Sequence, residues 1–254
     1  MSSGPFLSVV LPAYNEERRL PATLARVLEY LAASPYTHEV VLVDDGSRDS
    51  TPQFIAGACA AHASVRGIYL TPNQGKGAAV KAGMLAAQGE YLLFSDSDLS
   101  TPIEEVEPLL ARLQSQKAGV AIGSRRLPES NLIIRQPFHR RVMGAGFNLL
   151  VQALALPGLH DTQCGFKLFT RAAARDIFPR LTIDRFGFDV EALYLARRFG
   201  HRIVEVPVTW RDAADSKVSP LRDSARMFGD LLRIRLNDLT GRYNGQEVEW
   251  PKKA

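Results

Sequence analysis

The sequence predicts an α/β fold in which a mostly parallel, Rossmann-like sheet is flanked by helices. In the first half of the chain, short β-branched runs alternate with stretches of helical periodicity, and polar residues follow each apolar run. The length of 254 residues suits one such domain, and 46% hydrophobic with 23% charged residues is a globular composition. Ligands of this fold gather where strands end, so the residues after each strand are the first candidates for a site.

The apolar runs and amphipathic stretches place the elements in chain order. We predict strands at Leu7–Leu11, Val40–Val43, Val65–Leu70, Tyr91–Phe94, Val120–Gly123 and Ile203–Val208. Helices are predicted at Arg19–Ala33, Thr51–His62, Gly77–Ala87, Ile103–Gln116, Arg135–Leu156, as one or two helices, and Pro220–Leu239. The last two are amphipathic. No repeat or linker divides the sequence, so residues 1–243 are expected to form one domain, followed by a polar tail at 244–254.

Charge and cysteine content narrow the class of protein. The net charge of +4 suits an anionic ligand or lipid and is too small to indicate nucleic-acid binding. Cys59 and Cys164 are too few for a disulfide framework and favour a reducing compartment. The sequence contains neither a signal-peptide pattern nor an apolar run of about 18 residues. We therefore expect a cytoplasmic protein, either soluble or peripheral at the cytoplasmic face of a membrane.

A pair of carboxylates follows the predicted strand Tyr91–Phe94. Asp96 and Asp98 flank Ser97, and on an extended segment they would project to the same side. Two carboxylates on one face repel each other unless a cation lies between them, and their oxygen atoms suit Mg²⁺ or Mn²⁺. Such an ion can bridge a diphosphate and neutralise its charge as it departs. The alternative is a solvated acidic turn.

Polar residues also follow the first two strands. The segment Asp44–Asp49 begins with Asp44 and Asp45, whose carboxylates could accept hydrogen bonds from a nucleobase or from ribose hydroxyls. The same segment suits a turn followed by a helix N-cap, and both interpretations can hold. After the first strand, Pro12–Glu16 could place an aromatic ring and a carboxylate beside a base, with a helix start as the alternative.

Cationic residues supply candidate phosphate contacts. The segment Asn73–Gly77 resembles a phosphate-binding loop, although it lacks the first Gly and the Ser/Thr of a Walker A motif. Lys76 near a helix N-terminus would attract an anion. Further cations stand in the second half at Arg135, His139, Arg140, Arg141 and Lys217.

The joint order of these motifs resembles that of family 2 glycosyltransferases with the GT-A fold, over nearly the whole chain. The second half resembles the polyprenyl-phosphate hexosyltransferases, and among them the dolichyl-phosphate glucosyltransferases. The resemblance implies a UDP-sugar donor with glucose favoured, a polyprenyl or dolichyl phosphate acceptor, Mg²⁺ or Mn²⁺, and inversion at the anomeric carbon. The motifs are Pro12–Glu16, Asp44–Asp49, Lys76-Gly77, Asp96–Asp98, Gly123-Ser124-Arg125, Asp161–Phe169, Phe186–Glu191, Val206-Pro207-Val208, Trp210 and Ser216-Lys217-Val218.

The resemblance also implies roles for single residues, with residues 1–125 as the nucleotide-sugar half and 126–243 as the acceptor half. Asp98 would be the direct metal ligand, and Asp96 would approach the ribose or a metal-bound water. Asp45 would hold the uracil. The rest of the donor site would comprise Pro12, Tyr14, Glu16, Asp44, Lys76, Ser97 and Gln163. Catalysis would involve Asp98, Asp189, Arg125 and Lys167, and the acceptor would contact Arg135, His139, Arg140, Glu191 and Lys217.

The acceptor decides what Asp189 must do. A phosphate monoester is already mostly dianionic at neutral pH, so it needs cations that position it and no catalytic base. A hydroxyl acceptor would need a carboxylate base, for which Asp189 is the candidate. Three hypotheses follow: transfer to a polyprenyl phosphate, transfer to a soluble or protein hydroxyl, and a catalytically silent nucleotide-sugar-binding protein. The amphipathic helices at Arg135–Leu156 and Pro220–Leu239 could lie on a membrane or simply cover the core.

Overall fold

The computed structural model describes residues 4–133, 138–211 and 220–244, without the side chains of 138–145 and 220–225. Nine strands and eight α-helices lie in these ranges. The strands are β1 Leu7–Ala13, β2 His38–Asp44, β3 Val65–Tyr69, β4 Tyr91–Ser95, β5 Val120–Ser124, β6 Asn131–Leu132, β7 Phe166–Thr170, β8 Ile203–Pro207 and β9 Thr209–Trp210. The helices are α1 Leu20–Ala33, α2 Thr51–Ala61, α3 Lys76–Ala86, α4 Val106–Ser115, α5 Phe138–Leu154, α6 Arg171–Ile177, α7 Phe188–Arg198 and α8 Pro220–Leu239.

Seven strands form one mostly parallel sheet in the order β3-β2-β1-β4-β7-β5-β8. The chain moves outward from β1 to β2 and β3 and then returns to place β4 on the other side of β1. This change of direction opens a crevice at the carboxyl ends of β1 and β4, where ligands of such sheets bind. The predicted α/β fold with a mostly parallel sheet is confirmed.

The core occupies both faces of the sheet, as the near-continuous apolar runs require. Along β1, Val10 packs into one cluster, whereas Val9 and Leu11 pack into the other. Because successive strand residues point to opposite faces, one short strand supplies both layers. The helices that cover the two faces fix the strand ends, and thus the loops that follow them, in place.

Several elements differ from the sequence prediction. Strand β7 was not predicted, and it runs antiparallel to both of its neighbours, β4 and β5. Helices α6 and α7 were also not predicted. The stretch predicted as one helix from Ile103 begins as a 3-10 turn at Ile103–Glu105 and continues as α4.

The two amphipathic helices of the second half pack against each other. Helix α8 has the predicted bounds, and α5 is a single helix in the described range. None of the described helices is both long and apolar enough to cross a bilayer. The predicted tail lies almost entirely outside the described residues.

Candidate functional site

The loops after β1 and β2 are joined by hydrogen bonds at the crevice. Asn15 donates its backbone N–H to Ser47 Oγ (2.8 Å), and Arg48 donates its N–H to Asn15 Oδ1 (2.8 Å). The Ser47 N–H lies 3.2 Å from both carboxylate oxygens of Asp44. Asp44 therefore forms the turn that was one of the two interpretations of the Asp44–Asp49 segment. Asp44 also lines a cleft of about 510 Å³ with Arg48 and Tyr69.

Asp45 supports the segment before α3. Its carboxylate accepts hydrogen bonds from the backbone N–H groups of Gln74 and Gly75 (both 2.8 Å) and from Asn73 Nδ2 (2.7 Å). The residue is buried, and this burial raises the pKa of the Asp45 carboxyl despite the two N–H donors. Asp45 thus fixes the backbone that leads into Lys76, and its contact with a uracil base stays a prediction.

The residues after β1 have mixed environments. Pro12 is buried within β1, and Tyr14 is half-buried at the strand's exit. Glu16 is buried and forms a two-bond ion pair with Arg19, at 2.7 Å for each bond. The Glu16 carboxylate therefore anchors the start of α1, so the helix-start interpretation describes it, and its place beside a base stays a prediction.

The acidic residues after β4 lie in a turn. The expectation of an extended segment is wrong, because the Leu99 N–H bonds back to the Asp96 carbonyl (3.2 Å) and Leu99 has a φ of 46°. Ser97 is buried, and its carbonyl accepts a hydrogen bond from Thr23 Oγ1 (2.6 Å) on α1. The turn is therefore held by α1, and it still brings the two carboxylates within electrostatic reach of each other.

Gly165 provides the space for the Asp96 carboxylate. A Cβ at this glycine would lie 2.0 Å from Asp96 Oδ2 and 2.3 Å from Asp96 Cγ. The Gly165 carbonyl also accepts the Asp96 backbone N–H (3.0 Å). No residue with a side chain could stand here without displacing Asp96, so the segment before β7 fixes where the first acidic residue points.

Lys76 faces Asp96 from the first residue of α3. Its Nζ forms an ion pair with Asp96 Oδ1 at 2.6 Å, and this oxygen accepts no hydrogen bond of ordinary geometry from the described residues. Burial lowers the pKa of Lys76, but the charges of Asp96, Asp189 and Asp98 together outweigh it and raise the pKa. The lysine is therefore held as a cation against the acidic turn after β4.

Lys167 and Asp189 form a buried ion pair beside Lys76. Lys167 Nζ donates to Asp189 Oδ1 and to the Cys164 carbonyl (2.6 Å). The centre of the Phe94 ring lies 5.3 Å from Lys167 Nζ and 5.6 Å from Lys76 Nζ, so both ammonium groups contact the same aromatic side chain. Burial raises the pKa of Asp189 despite the charges of Lys167 and Lys76. The site thus holds two lysines and three acidic residues in one cluster.

Asp98 is the carboxylate best placed to accept a cation. Burial and the charge of Asp96 raise its pKa, although the Ser100 N–H donates to Asp98 Oδ1 (2.9 Å). A divalent cation would relieve this repulsion. No cluster of three metal-ligating side chains occurs among the described residues. Asp98 and Asp96 supply carboxylate oxygens, which are the ligands that Mg²⁺ takes together with water.

Arg125 is held by Asp161. Its Nε and Nη2 donate to the two Asp161 oxygens (2.7 and 2.9 Å), and its backbone N–H donates to Oδ2 (2.9 Å). Burial raises the pKa of Asp161, but the neighbouring guanidinium outweighs it and the net pKa is lowered. The guanidinium also lies 5.4 Å from the centre of the Trp210 ring. The pair therefore positions Arg125 rigidly at the end of β5, where it feels the charge of Asp96.

Two further predicted residues have structural contacts. Glu191 is fully buried and accepts hydrogen bonds from Thr182 N and Oγ1, from Ile183 N and from Tyr243 OH, at 2.6 to 2.9 Å. Direct contact of Glu191 with an acceptor is incompatible with this burial, so that part of the sequence prediction is corrected. Gln163 is half-buried, with its amide nitrogen 3.7 Å from Met227 Sδ on α8.

The remaining acceptor residues cannot be placed. Arg135 and Lys217 lie outside the described residues, and His139 and Arg140 belong to α5 but their side chains lie outside them too. Sequence reasoning from single residues missed Asp161 and Gly165, although both stand within the Asp161–Phe169 motif. Their roles depend on contacts across the fold, with Arg125 and with Asp96.

Comparison with known proteins agrees with this geometry. The family described as Glycosyl transferase family 2 matches residues 8–178. Dolichyl-phosphate beta-glucosyltransferase of Homo sapiens is 41% identical over 254 residues, which cover 95% of this chain and 78% of that protein. The protein of the same name from Dictyostelium discoideum is 40% identical over 247 residues, covering 93% and 76%.

Solved structures show the same fold. Glucosyl-3-phosphoglycerate synthase from Mycobacterium tuberculosis, in complex with Mn²⁺, uridine diphosphate and glucosyl-3-phosphoglycerate, has a TM-score of 0.66 at 21% identity. The match covers 97% of this chain and 82% of that one. The predicted GT-A architecture is thereby confirmed.

Proposed function

We propose that this chain, which belongs to glycosyl transferase family 2 and is thus a glycosyltransferase, transfers glucose from UDP-glucose to a polyprenyl phosphate. The proposed acceptor is dolichyl phosphate or a related polyprenyl phosphate. The observation that supports this most strongly is the convergence of Asp96, Asp98, Lys76 and Lys167 where the sheet changes direction. Curated relatives at about 40% identity over most of the chain carry the name of this reaction.

Donor binding follows from the charges at the end of β4. Asp98, with Asp96 beside it, would hold Mg²⁺ or Mn²⁺, and the bound ion would neutralise charge on the diphosphate. Lys76 stands beside Asp96 and adds a fixed positive charge. Fixed charges at a leaving group act most strongly where charge develops during the reaction. Lys76 would therefore stabilise the departing UDP without having to move.

The reaction itself is a single displacement at the anomeric carbon with inversion. The acceptor phosphate is the nucleophile: one of its oxygens forms the new bond to the sugar, and the bond to the diphosphate breaks. The acceptor is already ionised, so no base has to remove a proton. The Asp189 carboxylate already accepts a hydrogen bond from Lys167. Its proposed role is to position this lysine beside the sugar or the phosphates.

Asp189→Asn is expected to lower kcat by roughly 10- to 100-fold, because the amide weakens its hold on Lys167 without removing a proton acceptor from the reaction. The binding constant for UDP should stay close to that of the wild type. Steady-state kinetics with the polyprenyl phosphate, together with calorimetric UDP binding, checks both. Near-complete loss of transfer with unchanged UDP binding would instead indicate a base, and thus a hydroxyl acceptor.

An apolar surface on α8 supports a lipid acceptor. The buried face of the helix carries Met227, Leu231 and Ile234, whereas Phe228, Leu232, Leu236 and Leu239 are exposed at 42%, 51%, 59% and 79%. A helix in solution is normally apolar on one face only. Helix α5, which packs against α8, also exposes Leu149, Leu150 and Leu154. Contact with a membrane would cover this surface and bring the enzyme to its lipid substrate.

Replacing Leu232 and Leu236 by Glu should abolish most binding to lipid vesicles, because each buried leucine contributes about 2 kcal/mol to the transfer out of water. Co-flotation with phosphatidylcholine vesicles measures the effect. Gln53→Glu with Ala60→Glu is the matched control, since it adds two carboxylates to exposed positions of α2. Equal flotation of both variants would contradict the membrane role of α8. If the leucine variant has the same mass in solution as the wild type, the exposed leucines do not form a dimer interface.

The direct test of the proposed function is a transfer assay with UDP-[¹⁴C]glucose and a short-chain polyprenyl phosphate. We expect a labelled lipid product that depends on added Mg²⁺ or Mn²⁺. Label that passes only to water or to a hydroxyl acceptor would overturn the lipid-phosphate assignment. Binding of UDP-glucose without any turnover would favour the silent nucleotide-sugar-binding protein.

A further inference from the structure

A second cationic cleft lies between α8 and the segment before α7. It has a volume of about 420 Å³, and its walls include Arg185 from that segment and Arg226 and Arg233 from α8. Gln74, just before Lys76, borders it on the donor side. Nothing in the reaction derived above uses these three arginines.

The three guanidinium groups are exposed to solvent. None of them forms a salt bridge with a carboxylate of the described residues. The two carboxylates in the cleft wall are Asp184 and Asp230, so cations are in excess. Three arginines directed at one cleft without bound anionic partners are a usual arrangement for binding phosphate.

The walls of the cleft are fixed to the donor site. Gly75, at a φ of 115°, lets the Asp184 carbonyl approach so closely that a Cβ there would lie 2.4 Å from it. The Asp184 carbonyl also accepts the Ala78 N–H of α3 (3.1 Å). Arg185 is therefore held above the segment that leads into Lys76, and its charge is felt by Asp45.

The opposite wall is fixed as well. Asp230 of α8 lies over Gly187, where a Cβ would come within 2.4 Å of Asp230 Oδ2. The charges of Arg233 and Arg226 act on the Asp230 carboxyl, so these side chains lie near it. The apolar positions Phe228 and Leu232 lie on the same two turns of the helix. The cleft thus lies between the donor site and the apolar surface of α8.

We propose that Arg185, Arg226 and Arg233 form the subsite that captures the phosphate monoester of the acceptor, with the lipid chain running along the exposed leucines of α8. The assignment rests on the proposed function for the identity of the acceptor. A headgroup that arrives from the apolar surface meets Arg226 and Arg233 first and Arg185 last. Arg185, beside Gln74, then directs the phosphate toward the sugar of the donor.

The test compares R226Q/R233Q and R185Q with the wild type by calorimetry, using citronellyl phosphate and UDP as separate probes in the presence of Mn²⁺. We expect the Kd for citronellyl phosphate to rise by ~10-fold or more in each variant, since charge-assisted hydrogen bonds to the phosphate are lost. The Kd for UDP should change by less than about twofold. R112Q, an exposed arginine of α4, is the control and should change neither value.

An unchanged Kd for citronellyl phosphate in the arginine variants would overturn the subsite. Weakening of UDP binding by the same factor would overturn it too, because it would assign the cleft to the donor. A wild-type protein that binds no citronellyl phosphate would also overturn it. Flotation on phosphatidylcholine vesicles with and without phosphatidylglycerol separates the acceptor from a membrane headgroup. If the arginine variants lose only binding to the phosphatidylglycerol vesicles, the cleft recognises a headgroup and the acceptor assignment is wrong.

Failure of this inference and failure of the proposed function give different results. If the wild type binds citronellyl phosphate in the arginine cleft but transfers no glucose to it, the proposed function fails and the subsite stands. If the wild type transfers glucose and the variants keep its KM for the acceptor, the subsite fails and the function stands.

Discussion

Gly165→Ala is expected to reduce glucose transfer by about 100-fold or more, because displacement of a catalytic group by an ångström can cost that factor. The new Cβ would lie 2.0 Å from Asp96 Oδ2, so the carboxylate has to leave its position beside Lys76. The protein should still fold, with a loss of about 1–3 kcal/mol from the added methyl group. Transfer kinetics below the melting temperature, with circular dichroism as the check on folding, measures both effects.

Gly57→Ala is the matched control. A Cβ at this position of α2 meets nothing within 4 Å, so the change should leave transfer unaltered and add up to about 1 kcal/mol of helix stability. If Gly165→Ala keeps the activity of the control, the position of Asp96 does not matter for transfer. The role given to the acidic turn after β4 would then be wrong.

Asp98→Asn is expected to lower transfer by ~1,000-fold, since a metal ion that stabilises the departing charge contributes several kcal/mol to the transition state. UDP binding should also lose its dependence on Mn²⁺.

In the absence of metal the Asp98→Asn variant should melt at a higher temperature than the wild type. The raised pKa of Asp98 means that its ionised form is disfavoured in the folded protein at neutral pH, so removing the charge removes that cost.

Asp176→Asn provides the control for the loss of one carboxylate, because Asp176 is a half-buried residue of α6 that is paired with His201. It should keep wild-type transfer and wild-type dependence on Mn²⁺. Metal-stimulated transfer in Asp98→Asn at the level of this control would contradict the assignment of Asp98 as a ligand.

Part of the site follows from sequence because it depends on strand ends. Asp45, Lys76 and Asp96 each stand directly after an apolar run or before a helix, and parallel strands bring their carboxyl ends to one edge. The positions of Asp45, Lys76 and Asp96 relative to the predicted strands and helices therefore predict that these residues lie close to one another. The half of the fold that repeats strand and helix is predictable for the same reason.

The remainder depends on contacts that no local pattern reveals. Strand β7 carries Lys167 at a fully buried position, and this burial is tolerable because Lys167 pairs with Asp189, 22 residues away, and donates to the Cys164 carbonyl. Asp189 and Glu191 are two residues apart on α7, so they project to different sides of the helix. Asp189 pairs with Lys167, whereas Glu191 accepts a hydrogen bond from Thr182. The two carboxylates are close in sequence, but they do not form one acidic site.

The central claim is that a cation held by the acidic turn after β4 supports the departure of UDP. Anomalous diffraction from crystals grown with Mn²⁺ and UDP tests it most directly. We expect a manganese peak that contacts both Asp98 and the diphosphate, with Lys76 beside Asp96. UDP bound elsewhere, or UDP at the β1–β4 crevice with the manganese away from Asp98, would contradict the account.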